Sequence, residues 1–223
     1  MEKIISLEKA TDLVKDGMTV MVGGFLGNGN PLGLIDALVQ KGVRNLTLIC
    51  NDTATPEIGV GKFVINKQLK KAIVSHIGTN PETGRQMITG ELSVELIPQG
   101  TLAERIRCGG AGLGGFLTPT GVGTIVDEGK QRLVIGGKAY LLEMPLRADI
   151  ALLYAHKADK FGNLVCRRST RNFNPLMAFA ADKVVVEAKQ IVETGEIDPD
   201  EVMVTGIVVD WIVPGRNGKG GKA

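Results

Sequence analysis

The segment that most restricts the fold is an apolar run, Thr19-Val20-Met21-Val22, entering the glycine-rich stretch Gly23-Gly24-Phe25-Leu26-Gly27-Asn28-Gly29-Asn30-Pro31. The run reads as a buried strand. Asn30 is the expected N-cap of a following helix, and Pro31 falls at the first helical position, where its missing N–H is of no consequence. That helix, predicted over 32–41, stops at Gly42, and Leu46-Thr47-Leu48-Ile49-Cys50 supplies the next strand. The result is a βαβ unit with strands in parallel.

The same alternation extends along the chain. An amphipathic opening helix is carried by Ile4, Ile5, Leu7, Ala10, Leu13 and Val14, with Ser6 as its cap and Asp16-Gly17 as its stop. A helix over 60–68, strands over 72–75 and 94–97, and a helix over 101–107 follow. Past Cys108, Gly109 opens a long loop, and the runs 132–135 and 138–141 flank Gly136-Gly137, a hairpin signal. Strands over 150–153, 184–186 and 207–209 return to the main sheet, with a helix over 175–181. The expected class is α/β, a mainly parallel sheet with flanking helices and a small antiparallel hairpin insertion. One domain over residues 1–214 is expected, then a disordered basic tail at 215–223, whose Gly, Lys, Arg and Asn have nothing to bury.

Composition narrows the function. With 26 basic and 24 acidic residues the formal charge is +2, and aromatic residues make up 4% of the chain, so neither a basic surface nor base-stacking groups point to nucleic acid. Three cysteines, Cys50, Cys108 and Cys166, form no Cys-x-x-Cys pair, which argues against a disulfide framework and against a metal site and favours a reducing cytoplasm. No apolar stretch is long enough for a membrane span.

At the carboxyl end of a strand and the amino end of a helix, the glycine turn is a place where backbone N–H groups and the helix dipole suit a phosphate, a carboxylate or an amide-rich cofactor arm. Glycine-rich βα turns also serve close packing alone, and local chemistry leaves both readings open. Two nucleotide motifs are absent. No Gly-Lys is followed by Ser or Thr, and Gly27-Asn28-Gly29 continues as Asn30-Pro31-Leu32, so there is neither a P-loop nor a dinucleotide fingerprint. His76 and His156 have no nucleophile at a triad spacing, and His76 is expected to be structural. Cys108 is expected to be a small buried hydrophobe, while Arg105, Arg107, Arg167, Arg168 and Arg171 are taken mostly as solvated or paired surface charges.

Asp16-Gly17, the apolar run, Gly23-Gly24-Phe25, Gly29 and Pro31 together resemble the signature of the α subunits of family I (3-oxoacid) CoA-transferases. The resemblance continues through Asn51-Asp52-Thr53, the stretch from Ser75 to Gly84, that from Pro98 to Arg105, the Gly109–Gly123 loop and Arg171-Asn172-Phe173-Asn174-Pro175. It covers nearly the whole chain and is nearest to acetate/butyrate:acetoacetate and succinyl:3-oxoacid CoA-transferases. It implies the CoA-transferase-like open sheet and a ping-pong reaction through a glutamyl-CoA thioester.

In that family the nucleophilic glutamate lies on a β subunit in a Ser-Glu-Asn-Gly type motif, and no such tetrapeptide occurs here. The implied partners are that β subunit, in an α₂β₂ assembly, and acyl-CoA with short-chain carboxylates; coenzyme A is substrate, and no permanent cofactor is expected. By motif match, Gly24, Phe25, Leu26, Gly27, Asn28, Gly29 and Asn30 form the CoA-binding segment, with Gly24, Gly27 and Gly29 removing side chains that would block approach. Gln99 and Asn51 line the active site as neutral amides able to donate to an oxyanion. Two other readings stay open: a stand-alone acyl-CoA sensor without catalysis, and a sugar-phosphate isomerase or deaminase, for which no motif supplies a general base.

Overall fold

The computed structural model describes residues 3–215. In chain order it contains α1 (Leu7–Asp12), β1 (Thr19–Val22), α2 (Leu32–Lys41), β2 (Leu46–Ile49), α3 (Gly61–Ile65), β3 (Leu69–Val74), α4 (Pro81–Ile88), β4 (Ser93–Leu96) and α5 (Gln99–Gly110). These are followed by β5 (Phe116–Thr118), β6 (Arg132–Ile135), β7 (Lys138–Glu143), β8 (Ile150–Asp159), β9 (Leu164–Val165), α6 (Asn174–Met177), β10 (Val184–Val192) and β11 (Trp211–Pro214). The main sheet has the order β11-β10-β8-β1-β2-β3-β4, all parallel, with the short β9 antiparallel to β8. A separate antiparallel sheet, β5-β7-β6, holds the predicted hairpin and one strand that the pattern did not reveal.

Alternate residues of each strand enter opposite faces, and both faces are covered. On one side Val20, Val22, Leu48, Ile150, Leu152 and Val185 pack under Leu34, Ile35 and Leu38 of α2 and Phe63 of α3. On the other, Met21, Ile49, Ile73, Ala151 and Leu153 meet Leu102 and Ile106 of α5 and Met177 of α6. Each such fully buried Leu or Ile contributes about 1.5–3 kcal/mol. β1 lies between β2 and β8, so the chain leaves it to one side and later returns on the other. This is the reversal of strand order at whose carboxyl edge open α/β sheets form a crevice, and the glycine turn leaves β1 there.

Several sequence expectations need correction. Asn30 does not cap α2: the cap position is Pro31, and the buried Asn30 amide donates to Gly23 O (2.6 Å) and accepts from Val60 N (3.3 Å). Ser6 does cap α1, accepting from Lys9 N, but Ile4 lies outside that helix and bridges Ile212. Residues 207–209 are not a sheet strand. Gly206–Val208 is a 3-10 turn with Ile207 80% exposed, and β11 begins at Trp211, where the backbone pairs with Val185 of β10.

Helix α4 went unforeseen because its buried residues are Thr83 and Gln86, so it shows no apolar stripe. Helix α5 runs through Gly109, where a loop was expected; a Cβ there would stand 2.0 Å from Leu146 O, so the glycine serves close packing. The helices expected over 60–68 and 175–181 are shorter. Lys67 adopts φ +52 and ends the first, and the second ends at Met177. Of the tail expected at 215–223, Gly215 donates its N–H to Ala188 O, and residues 216–223 lie outside the described residues.

Replacing Asn30 by Ala leaves a buried carbonyl and a buried N–H without their partner. We expect Asn30→Ala to cost about 1–3 kcal/mol and to lower the thermal midpoint by several degrees, measurable by calorimetry.

Candidate active site

The carboxyl ends of four adjacent strands deliver the lining of one open cleft of about 320 Å³. β1 brings Phe25 and Leu26, β2 brings Asn51 and Asp52, β3 brings Ser75 and His76, and Gln99 opens α5 after β4. Asn51 and Gln99, separated by 48 positions, therefore meet: Gln99 Nε2 donates to Asn51 Oδ1 at 2.7 Å. Asn51 Nδ2 in turn donates to Asp52 Oδ2 at 2.6 Å, and Ser75 Oγ donates to the Asn51 backbone carbonyl at 2.8 Å.

Asp52 fixes the direction of this chain of bonds. An ionised carboxylate only accepts, so the Asn51 NH₂ faces Asp52, its oxygen faces Gln99, and Gln99 turns its NH₂ inward with one N–H left over for the cleft. Asp52 itself is 1% exposed and takes three hydrogen bonds: Oδ2 also accepts from Leu26 N (2.9 Å) and Oδ1 from Ala54 N (2.7 Å). Sequence reasoning passed over Asp52 because two of its three partners are backbone N–H groups that no motif displays. It also gave His76 a structural role, whereas His76 is exposed on the cleft wall.

The glycine turn is mostly self-satisfied. Phe25 and Asn28 exchange both backbone bonds, Asn30 N donates to Gly27 O, and Gly23 N to Leu152 O. The N–H groups of Gly24, Gly27 and Gly29 make no hydrogen bond among the described residues. These three have φ of +133°, +80° and +80°, and a Cβ on each would strike the protein itself: Asn30 Nδ2 at 2.0 Å, Ile58 Cγ2 at 2.4 Å, and the Asn172 and Asn174 amides at 3.1 Å. Packing within the chain thus already opposes a side chain at Gly24 and Gly27, and the positive φ of all three favours glycine. The helix-dipole anion site expected after the turn is partly filled from inside, since Glu187 of β10 accepts from Leu34 N of α2 at 3.0 Å.

Phe25 and Leu26 face the cleft that holds Asn51 and Gln99, whereas Gly27, Asn28, Gly29 and Asn30 line a second hollow of about 360 Å³ with Leu32, Tyr154 and Glu187. The turn is the wall between the two. Burial pushes the Cys50 thiol up to about 12, with Asp52 adding to the shift, and burial alone pushes Cys166 up to about 11. Cys108 is buried, with Sγ donating to Leu113 O. Among the described residues no group of three or more His, Cys, Asp or Glu is placed to hold a metal ion, and no helix is long and apolar enough to cross a membrane.

The carboxyl edge of the parallel sheet thus carries a glycine turn and a train of oriented amides, with its buried carboxylate bound by three N–H groups. The family model of coenzyme A transferases matches residues 4–215, and the chain belongs to that family. It is 58% identical over 217 residues to the acetate CoA-transferase subunit alpha of Escherichia coli K12, covering 97% of this chain and 99% of that one. It is 50% identical over 211 residues to the acetoacetyl-CoA:acetate/butyrate CoA transferase alpha subunit of Clostridium acetobutylicum, covering 95% and 97%. Among solved structures, an acyl-CoA transferase of Escherichia coli O157:H7, in a thioester complex with CoA, superposes with a TM-score of 0.86 at 22% identity. That match covers 100% of this chain but 49% of the other, so the chain spans about half its length and the likeness concerns the fold.

All three thiols are buried, and those of Cys50 and Cys166 are also raised. A thiol-reactive disulfide reagent at pH 8 should find no rapidly reacting thiol in the native chain and all three cysteines once it is unfolded. A fast-reacting native thiol would contradict the burial described.

Proposed function

We propose that this chain is the non-nucleophilic half of a CoA-transferase that moves CoA between an acetoacetyl-CoA type thioester and a short-chain carboxylate such as acetate or butyrate. The observation that carries the reading is the asymmetry of the cleft: it offers amide donors, while its one acidic lining residue, Asp52, is buried and bound by three N–H groups. Such a carboxylate is a poor nucleophile. The attacking glutamate then comes from a β subunit, which the names of the α-subunit relatives support. The working unit is residues 1–214, assembled as α₂β₂ in the cytoplasm, in keeping with three unpaired cysteines.

In this reading the β-subunit glutamate attacks the acyl-CoA carbonyl, and CoA thiolate leaves as a mixed anhydride forms. The thiolate then attacks the glutamyl carbonyl, releasing the acyl carboxylate and leaving a glutamyl-CoA thioester. An incoming carboxylate reverses the two steps. Each attack places negative charge on a carbonyl oxygen, and the spare N–H of Gln99, oriented through Asn51 and Asp52, is the donor we assign to it. The unpaired N–H groups of Gly24, Gly27 and Gly29 are suited to the pantetheine amides of CoA.

Two measurements test this on the chain co-assembled with its β subunit. CoA exchange between acetoacetyl-CoA and acetate, butyrate or succinate should occur in the mixture and be absent from either chain alone; CoA binding without exchange would favour a sensor. Gln99→Ala should lower kcat by about 10²-fold, on the order of 3 kcal/mol. Wild-type kcat in that variant would remove Gln99 from the reaction.

A further inference from the structure

Most of the polar side chains that line the cleft with Gln99 are already engaged. Asn51 accepts from Gln99 and donates to Asp52, Ser75 Oγ donates to the Asn51 backbone carbonyl, and Asp52 is buried and bound by three N–H groups. Phe25 and Leu26 are apolar and half-exposed. His76 differs from all of these. It is exposed on the cleft wall, and its ring enters no hydrogen bond or salt bridge among the described residues. An imidazole has at least one N–H to give in either protonation state.

The ring is unengaged, yet its place is fixed. The backbone of His76, just beyond β3, bridges Asp52 in the parallel sense, and Ser75 N before it donates to Asn51 O at 2.8 Å. On the other side Val74 pairs with Leu96, and the two chains run on by two residues each, to His76 and Pro98, with Gln99 next. Neighbouring strands stand about 4.8 Å apart, so the imidazole and the Gln99 amide rise from adjacent places on one sheet edge. The ring also lies against Gly78, where a Cβ would stand 3.0 Å from Cε1 and 3.2 Å from Nε2. Gly78 is not among the glycines at positive φ, so backbone conformation does not call for glycine there; the space a side chain would occupy is taken by the imidazole.

We propose that His76 is a specificity-determining residue, donating to the 3-oxo oxygen of an acetoacetyl-type acyl group and so favouring 3-oxoacyl over simple acyl thioesters. The proposal rests on the CoA-transferase reading above and deepens it. A 3-oxoacyl thioester carries carbonyl oxygens on alternate carbons, and the cleft offers two donors on adjacent strands, the spare N–H of Gln99 and the ring of His76. A saturated chain such as butyryl has no atom to accept the second bond. Binding it strips water from the imidazole and returns no partner. Phe25 and Leu26 give apolar contact to either chain, which separates the two only weakly; a donor that one chain satisfies and the other leaves unpaired separates them well.

The test runs the assembled enzyme with acetate as acceptor and either acetoacetyl-CoA or butyryl-CoA as donor. The two reactions then share CoA, acceptor and the acetyl-CoA product, and differ in the acyl chain. The quantity read is the ratio of kcat/KM for the two donors; where butyryl-CoA turns over too slowly, its competitive inhibition constant against acetoacetyl-CoA replaces its kcat/KM. His76→Leu should lower the ratio about tenfold, with the loss on acetoacetyl-CoA, and His76→Gln, which keeps an N–H donor, should recover part of it. An unchanged ratio in His76→Leu overturns the proposal. So does an equal loss on both donors, the outcome for a residue that only shapes the cleft or holds the acceptor carboxylate. If His76→Leu does not assemble with the β subunit, Gly78→Ala decides: its Cβ displaces the ring and should lower the ratio in the same direction, and a wild-type ratio overturns the proposal. If the wild-type assembly moves no CoA, the transferase reading fails separately, and equilibrium binding of the two thioesters to the same assembly tests His76. A preference for acetoacetyl-CoA that is lost in His76→Leu supports the role; the same preference in wild type and variant overturns it.

Discussion

Asp52 ties the glycine turn to the segment that leaves β2. Its carboxylate takes the N–H of Leu26 from the glycine turn, the side-chain amide of Asn51 from the end of β2, and the N–H of Ala54 beyond it. Leu26 and Ala54 both sit at positive φ, +48° and +50°, without being glycine. Left-handed backbone at such residues costs about 1–2 kcal/mol each. A hydrogen bond to a charged acceptor returns about 1.5–3 kcal/mol, so one buried carboxylate offsets the strain at both and aligns the turn with the amide train at the same time.

The opposite flank of the turn is held by Asn174 at the start of α6. Its oxygen accepts from Tyr154 N in β8, and its amide donates to Gly29 O and Thr170 O, so the turn, the longest strand and the 3-10 turn Arg168–Arg171 share one side chain. A Cβ at Gly23 would lie 1.9 Å from the Asn174 oxygen, which explains a glycine at the point where β1 ends. The turn is thus a rigid partition. One flank meets neutral, oriented amides, and the other meets Arg167, Arg168 and Lys189, which form no salt bridge among the described residues.

How much of this the sequence displayed depended on how each residue type announces its role. The β1-turn-α2-β2 unit was legible because apolar runs, glycines and a proline state their conformations locally, and Gly42 at φ +72° ends α2 where expected. The hairpin at Gly136-Gly137 was legible for the same reason, with both residues at positive φ. Helix α4 was not, since it is anchored by polar contacts such as Gln86 Nε2 to Val64 O and Thr83 Oγ1 to Thr53 Oγ1. Asn51 and Gln99 were reached through resemblance alone, and their contact is a product of strand order. Asp52 was missed because its tie to the glycine turn, through Leu26 N, spans 26 positions, and the basic hollow lined by Arg167, Arg168 and Lys189 because its walls come from separate strands and a turn 141 positions from Asn28. The glycines of the turn were read as clearance for a ligand; within the chain they also give clearance to Asn30, Ile58 and the Asn172–Asn174 amides.

The central claim is that this chain supplies the binding and polarising wall while the covalent chemistry happens on its partner. The most direct measurement is to incubate the assembled enzyme with acetoacetyl-CoA in the absence of acceptor and to map the trapped adduct by peptide mass spectrometry. The account predicts a CoA thioester on a glutamate of the β subunit and unmodified peptides throughout this chain. A CoA or acyl adduct on any carboxylate or thiol of this chain, Asp52 and Glu187 included, would contradict it.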